Sequence, residues 1–224
     1  MGVKGGPNIP NWETFDTMLD PSSIVSYSGT GFTFTNPLRL TGGFSDWTMG
    51  EATTNMIAGS GISKYVKQTS VQQYTQKIVQ VGNQSSNLFT FIFIYRQPQA
   101  ADYRTIIQWQ SNDLGFYVEA NGNITMKSSN TNYTTSGLAI TDNSWRHYAF
   151  TRSGTAATMY INGSLFTTFT GLSASNNSAG DTKMFDFPGC DGAVGLLWHK
   201  FGEADSATVV KRHYEALKGR FGIT

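Results

Sequence analysis

The run "NSWRHYAFTRS", residues 143–153, places Arg146, His147 and Tyr148 side by side, with Trp145 before them and Arg152 after. An imidazole between a guanidinium and a phenol is material for general acid–base chemistry, in which a positioned group moves a proton near neutral pH. That chemistry needs a partner, either a nucleophile for the imidazole to activate or a carboxylate to orient it.

The partners do not present themselves. Gly-x-Ser-x-Gly is absent, and the lone cysteine, Cys190 in "FPGCDGAVG", has no neighbouring base. A single cysteine cannot close an intramolecular disulfide and reads as a small buried hydrophobe. Cleavage of a glycosidic bond uses two carboxyl groups facing each other across the sugar. On a strand they would stand two or four residues apart. Glu13, Glu51, Glu119, Glu203 and Glu215 have no such partner on a plausible strand. Asp16 and Asp20 are four apart near Glu13, but in a Pro-bounded turn. No catalytic residue is assigned, and a non-enzymatic protein is expected.

Metal chemistry is hardly better supplied. His147, His199 and His213 are too scattered for a zinc site. Calcium takes about six oxygen ligands, commonly from Asp, Asn and carbonyls. The loop-like "NNSAGDTKMFDFPGCDG" offers Asp181, Asp186 and Asp191 as calcium candidates, with solvated loop residues as the competing reading. No other cofactor is indicated.

The elements that would position these residues are strands. "LFTFIFIYRQ", 88–97, is a continuous apolar and aromatic run, suited to a strand buried on both faces. In the opening run, alternation puts Trp145, His147, Ala149 and Thr151 on one face and Arg146, Tyr148, Phe150 and Arg152 on the other. His147, between Trp145 and Ala149, is expected to be a packed, hydrogen-bonded histidine rather than a titrating base. Asn121-Gly122 and Asn162-Gly163 each predict a two-residue type I′ hairpin. "QKIVQVG" leans to strand, within a stretch 48–87 that is otherwise hard to read. Only "EADSATVVKRHYEALKGRFGIT" reads as helix. Asp205 or Ser206 would cap it, Val210, Tyr214 and Leu217 would share a face, and Gly219 or Gly222 would end it.

Composition fits this picture. The chain has 224 residues, 13% of them aromatic and only 14% charged, against about 25% charged in ordinary soluble proteins. Its surface must be built mainly from Ser, Thr, Asn, Gln and Gly. A formal charge of +1 gives no long-range attraction for nucleic acid or an anionic membrane. No apolar run approaches a membrane span, and the first residues, "MGVKGGPNIPNW", lack the apolar stretch of a signal peptide. The expected architecture is all-β, a two-sheet antiparallel jelly-roll sandwich with a short C-terminal helix packed on its edge. Residues 1–12 form an extended arm, and 13–224 form one domain.

Two segments carry a resemblance. "SWRHYAFTRSGTAATMYINGSL" is similar to the laminin-G-like and pentraxin-like branch of the concanavalin A-like superfamily. The match lies in Trp145 and His147 and in the later Tyr160, Ile161, Asn162 and Gly163. The closing "GAVGLLWHKFGEADSATVVKRHYEALKGRFGIT" resembles the end of such domains in tailed-phage structural proteins, through Tyr214 and Ala216 to Gly222. The start, "GGPNIP" and "LDPSSIVSYSGTG", is similar to their opening. The likeness is good over 88–224, patchy over 5–31 and poor over 45–87, where "FTFTNPLRLTGGFSDW" departs from the pattern. It implies a virion component of a tailed phage, displayed on the particle surface as a capsid decoration or head-fibre protein. Partners would be other virion proteins, reached through residues 1–12, and further copies of the chain. The alternative it implies is a carbohydrate-binding adhesin contacting host glycans.

Overall fold

The computed structural model describes residues 15, 17–22, 33–34, 44–49, 57–67, 74–78, 84–85, 87–97, 104–109, 114–129, 131–138, 140, 142–173, 176–177, 182–184 and 192–224. Its strands are β1 (Thr17–Leu19), β2 (Thr33–Phe34), β3 (Phe44–Met49), β4 (Ile57–Ala58), β5 (Tyr65–Lys67), β6 (Tyr74–Ile78), β7 (Gln84–Ser85), β8 (Leu88–Arg96), β9 (Arg104–Trp109), β10 (Leu114–Val118), β11 (Ile124–Ser128), β12 (Thr131–Thr134), β13 (Arg146–Ser153), β14 (Ala156–Ile161), β15 (Ser164–Thr170), β16 (Asn176–Asn177), β17 (Thr182–Met184) and β18 (Ala193–Phe201). One helix, α1 (Ala207–Phe221), follows.

The strands form two large sheets whose strand pairs are antiparallel. The first runs β15-β14-β13-β8-β18-β5-β4, with β1 also pairing β18. The second runs β12-β11-β10-β9-β17-β6-β3-β2. The expected sandwich is therefore present, and alternation explains its core. Phe89, Phe91, Phe93 and Tyr95 of β8 point inward with Tyr148 and Phe150 of β13, against Ile107, Phe116 and Met126 of the second sheet. Phe116 and Phe150 meet with ring centroids 4.2 Å apart. Burying each such ring stabilises the fold by roughly 1.5–3 kcal/mol. Arg152, at the end of β13, is also buried. Its guanidinium donates to Ser128 Oγ on the second sheet (2.9 Å) and to the carbonyls of Gly154 (2.9 Å) and Ser173 (2.7 Å).

The opposite face of the first sheet is apolar too. Ile92, Ile94, Ala149, Leu196 and Trp198 point outward and are covered by Val210, Leu217, Phe221 and Ile223. The helix thus lies on the outer face of the sheet, not on the sandwich edge as the sequence suggests. This is why "LFTFIFIYR" can carry apolar side chains on both faces, Thr90 and Arg96 being its polar positions. Ser206 caps the helix, its side chain accepting from the Val209 N–H, and Gly222 ends it in the left-handed region at φ 62°. A Cβ on Gly195 would fall 2.5 Å from the Phe221 ring, so the missing side chain lets that ring press onto β18.

The two Asn-Gly turns differ. Asn162 (φ 49°) and Gly163 (φ 73°) are both left-handed, and Ile161 pairs Ser164, as the type I′ reading requires. At Asn121-Gly122 only Gly122 is left-handed (φ 80°), and its N–H donates to the Glu119 carbonyl. The loop is one residue longer than expected, because Ala120 and Asn121 form the turn and Gly122 follows it as a bulge.

The helix is clamped at its end by a buried ion pair. Arg220 donates to both carboxylate oxygens of Asp20 (2.7 and 2.9 Å) and to the Ile62 carbonyl (2.9 Å). Removing one member of such a pair leaves the other charge buried and unanswered. Arg220→Ala is expected to lower unfolding free energy in urea by about 3–5 kcal/mol. Arg220→Lys should restore little of it, because a lysine cannot reproduce the two-pronged bond.

Candidate functional site

Strand β13 delivers its residues to two different places. Alternation holds as read from sequence: His147 and Ala149 face the helix, while Tyr148 and Phe150 face the sandwich interior. His147 is fully buried, with its ring 5.9 Å from Tyr214 of the helix. It is packed as expected, but neither ring nitrogen has a hydrogen-bond partner among the described residues. The hydrogen bond expected for it is therefore missing.

Beside it under the helix lies a polar cluster that the sequence reading did not single out. Lys200 is buried, with its ammonium 2.7 Å from Asp205 Oδ1 and 3.0 Å from Glu203 Oε2. His213 Nε2 sits 3.8 Å from Asp205 Oδ2, and the rings of Phe15 and Trp198 pack edge-on to His213. Glu203 and Asp205, two residues apart, converge on one cation rather than facing each other across open space. Burial pushes the Asp205 carboxyl up, opposed by Lys200. A signal was present in the sequence: a lysine at an outward position of an otherwise apolar strand needs an acid, and the capping turn that follows supplies two.

An open pocket of about 410 Å³ lies at the other end of the same sheet. Three stretches build it. Asn143, Ser144, Trp145 and Arg146 come from the entry to β13, Asn162 from the β14–β15 turn, and Phe221, Gly222 and Thr224 from the end of the helix. Asn143 is left-handed (φ 61°), a conformation that asparagine tolerates. Asn162 fixes the geometry: its Oδ1 accepts from the His147 N–H (3.1 Å), and its Nδ2 donates to the Thr224 carbonyl (3.1 Å). Arg146 is held by a two-pronged bond to Asp142 (2.7 and 2.6 Å), which draws that carboxyl down to about 2. This pair is too exposed to add much stability.

Trp145 forms the apolar wall. Its ring lies 5.2 Å from Tyr65 and 4.9 Å from Phe221, and the Arg96 guanidinium sits 4.7 Å from the Tyr65 centroid and 4.8 Å from that of Trp145. The ring is thus held in place while staying part-exposed. The pocket offers an aromatic surface with amide, hydroxyl and guanidinium groups around it. The sequence contained the parts, since Asp142-Asn143-Ser144 and Asn162-Gly163 are turn formers. That they meet at one end of the sheet, with the helix terminus as third wall, follows only from the register of β13 with β14.

Among the described residues, no three His, Cys, Asp or Glu side chains are grouped to hold a metal ion. The calcium candidates Asp181, Asp186 and Asp191, with Cys190 and the arm 1–12, lie outside the described residues. Asp20 pairs with Arg220, Glu119 with the Thr125 hydroxyl, Asp142 with Arg146, Glu203 and Asp205 with Lys200, and Glu215 with Lys218.

The buried histidines make stability depend on pH. Burial holds His147 and His199 down to about 3 and His213 to about 4, with Lys200 adding repulsion at His213. In the unfolded chain each titrates near 6.5. Their neutral burial therefore stabilises the fold fully above about pH 6.5. It is lost as pH falls towards 4, because the unfolded state takes up protons that the folded state refuses. The slope approaches about 1.4 kcal/mol per pH unit for each histidine. Melting temperature should fall steadily across that window, and His213→Phe should make the fall shallower.

A laminin-G family model, described as belonging to the concanavalin A-like lectin/glucanases superfamily, matches residues 63–185, more than half of the chain. The binding domain of paraclostridial mosquitocidal protein 1 superposes with a TM-score of 0.66 at 15% identity, covering 90% of this chain and 52% of that one. The receptor binding domain of botulinum neurotoxin type G gives 0.64 at 18%, covering 90% and 51%. The binding domain of botulinum neurotoxin DC, solved in complex with SialylT, gives 0.68 at 12%, covering 92% and 51%. At these identities the likeness is one of fold, and the chain spans about half the length of the structures it matches. No curated protein sequence matches it. The sandwich with its paired sheets and the family model over its central strands agree: the chain belongs to the concanavalin A-like lectin/glucanase superfamily.

Proposed function

We propose that this domain is a non-enzymatic carbohydrate-binding module whose glycan sits in the pocket around Trp145. One observation carries the reading, a pocket of about 410 Å³ that pairs a fixed, part-exposed indole with Asn143, Ser144, Arg146 and Asn162. A sugar has an apolar C–H face that packs on an aromatic ring and hydroxyls that seek amides and guanidinium. The size lies within the range of small-molecule pockets. Solved structures of the same fold that are described as receptor-binding, or that hold SialylT, support it by analogy.

A tailed-phage particle surface is the setting we propose, supported by the resemblance of Tyr214–Gly222 to phage structural domains. That resemblance also favours a second reading, a capsid decoration protein held by residues 1–12. The two part on experiment. The intact chain is screened on a glycan array and the hits are titrated by calorimetry. Asn143→Gly keeps the left-handed backbone and removes one amide, and should weaken binding roughly tenfold at unchanged melting temperature. Trp145→Ala should abolish it. Binding to emptied capsids without any glycan response, lost on deleting residues 1–10, would establish the decoration reading instead.

A further inference from the structure

On the outer face of β18, Leu196 and Trp198 are followed by Lys200. The side chains of Lys200 and Asp205 are each 1% exposed, with Nζ 2.7 Å from Oδ1. Their surroundings are aromatic: Nζ stands 5.1 Å from the Phe15 ring centroid, and Phe15 packs on Trp198 at 5.5 Å. Glu203 is 56% exposed and brings Oε2 to 3.0 Å from the same nitrogen. The backbone between them is pinned to β8. Gly202 turns the chain in the left-handed region (φ 81°), and its N–H donates to the Leu88 carbonyl (2.8 Å). Thr90 Oγ1 accepts from the Asp205 N–H (2.8 Å) and donates to the Glu203 carbonyl (3.2 Å). Asp205 Oδ2 has no hydrogen-bond partner among the described residues, and His213 Nε2 faces it at 3.8 Å. A buried ion pair holds well when every lone pair is answered, so this oxygen needs an explanation.

We propose that Lys200 and Asp205 condense into an isopeptide cross-link, an amide between Nζ and Cγ that ties β18 to the start of helix α1. The pinned turn already holds amine against carboxyl, which removes most of the entropic barrier to their reaction. Burial, helped by Glu203 and opposed by Lys200, pushes the Asp205 carboxyl up, towards the uncharged form that an amine attacks. The Nζ–Cγ bond forms and the Cγ–Oδ2 bond breaks. Of the three protons on the ammonium, one stays on the amide and two leave with Oδ2 as water. The reaction therefore balances with no oxidant, reductant or further reagent. Glu203 Oε2 is placed to carry the protons from nitrogen to oxygen, one at a time. The product replaces two buried charges and an unpartnered oxygen with one neutral amide, which removes the desolvation penalty of the pair.

Mass spectrometry of the denatured, unsubstituted chain tests this. The expected mass lies below that of the 24.5 kDa sequence by one water, about 18 Da. Trypsin should fail to cut after Lys200, whose amine is acylated, and leave residues 184–211 as one peptide carrying the deficit. Both readings use the chain as it stands, so no variant has to fold. Glu203→Gln alters a half-exposed side chain, and should leave the chain mainly at full mass with unchanged circular dichroism. A full sequence mass with normal cleavage after Lys200 would overturn the proposal and leave an ion pair only. A water deficit that persists in Lys200→Arg would also overturn it, by placing the dehydration elsewhere. Undiminished cross-linking in Glu203→Gln would overturn the role given to Glu203.

Discussion

The structure depends on the double burial of one sheet. β8, β13 and β18 carry apolar side chains on both faces, and each face needs its own cover. The second sheet supplies one and helix α1 the other. Without the helix, Ile92, Ile94, Leu196 and Trp198 would meet water. Without the second sheet, the phenylalanines of β8 would. The Asp20–Arg220 pair fixes the helix at its C-terminal end, and the Lys200–Asp205 pair fixes the approach to its N-terminal end. Buried pairs of this kind contribute less to net stability than to holding a single arrangement, because desolvation offsets much of their attraction.

The pocket inherits that constraint. One wall is the entry to β13, another the Asn162-Gly163 turn, and the third the end of the helix. Gly163 belongs to the same joint: a Cβ there would lie 2.9 Å from the Tyr214 ring, so turn and helix touch directly. A ligand at Trp145 would therefore sense whether the helix is docked.

Much of this was legible in the sequence, and the reasons are local. Alternation in "WRHYAFTR" assigned faces correctly, and "LFTFIFIYR" announced a strand buried on both sides. Asp205 or Ser206 and Gly219 or Gly222 bracketed the ends of the helix, and the structure uses Ser206 and Gly222. What could not be read depends on contacts distant along the chain. Asp20 and Arg220 are two hundred residues apart, and nothing near either names the other. The helix could be foreseen but not its seat, because an amphipathic face says that it packs and not on what. His147 shows the same limit. Its burial was foreseeable from its neighbours, whereas its missing hydrogen bond was set by what the helix brings above it.

Native-state amide hydrogen exchange tests the dependence of pocket and sheet on the helix most directly. The helix and the central strands form one cooperative unit in this account. The amides of α1 should therefore exchange with the same opening free energy as those of β8 and of His147–Phe150, and respond equally to denaturant. A helix that opens at a clearly lower free energy, while β8 and β13 stay protected, would contradict it.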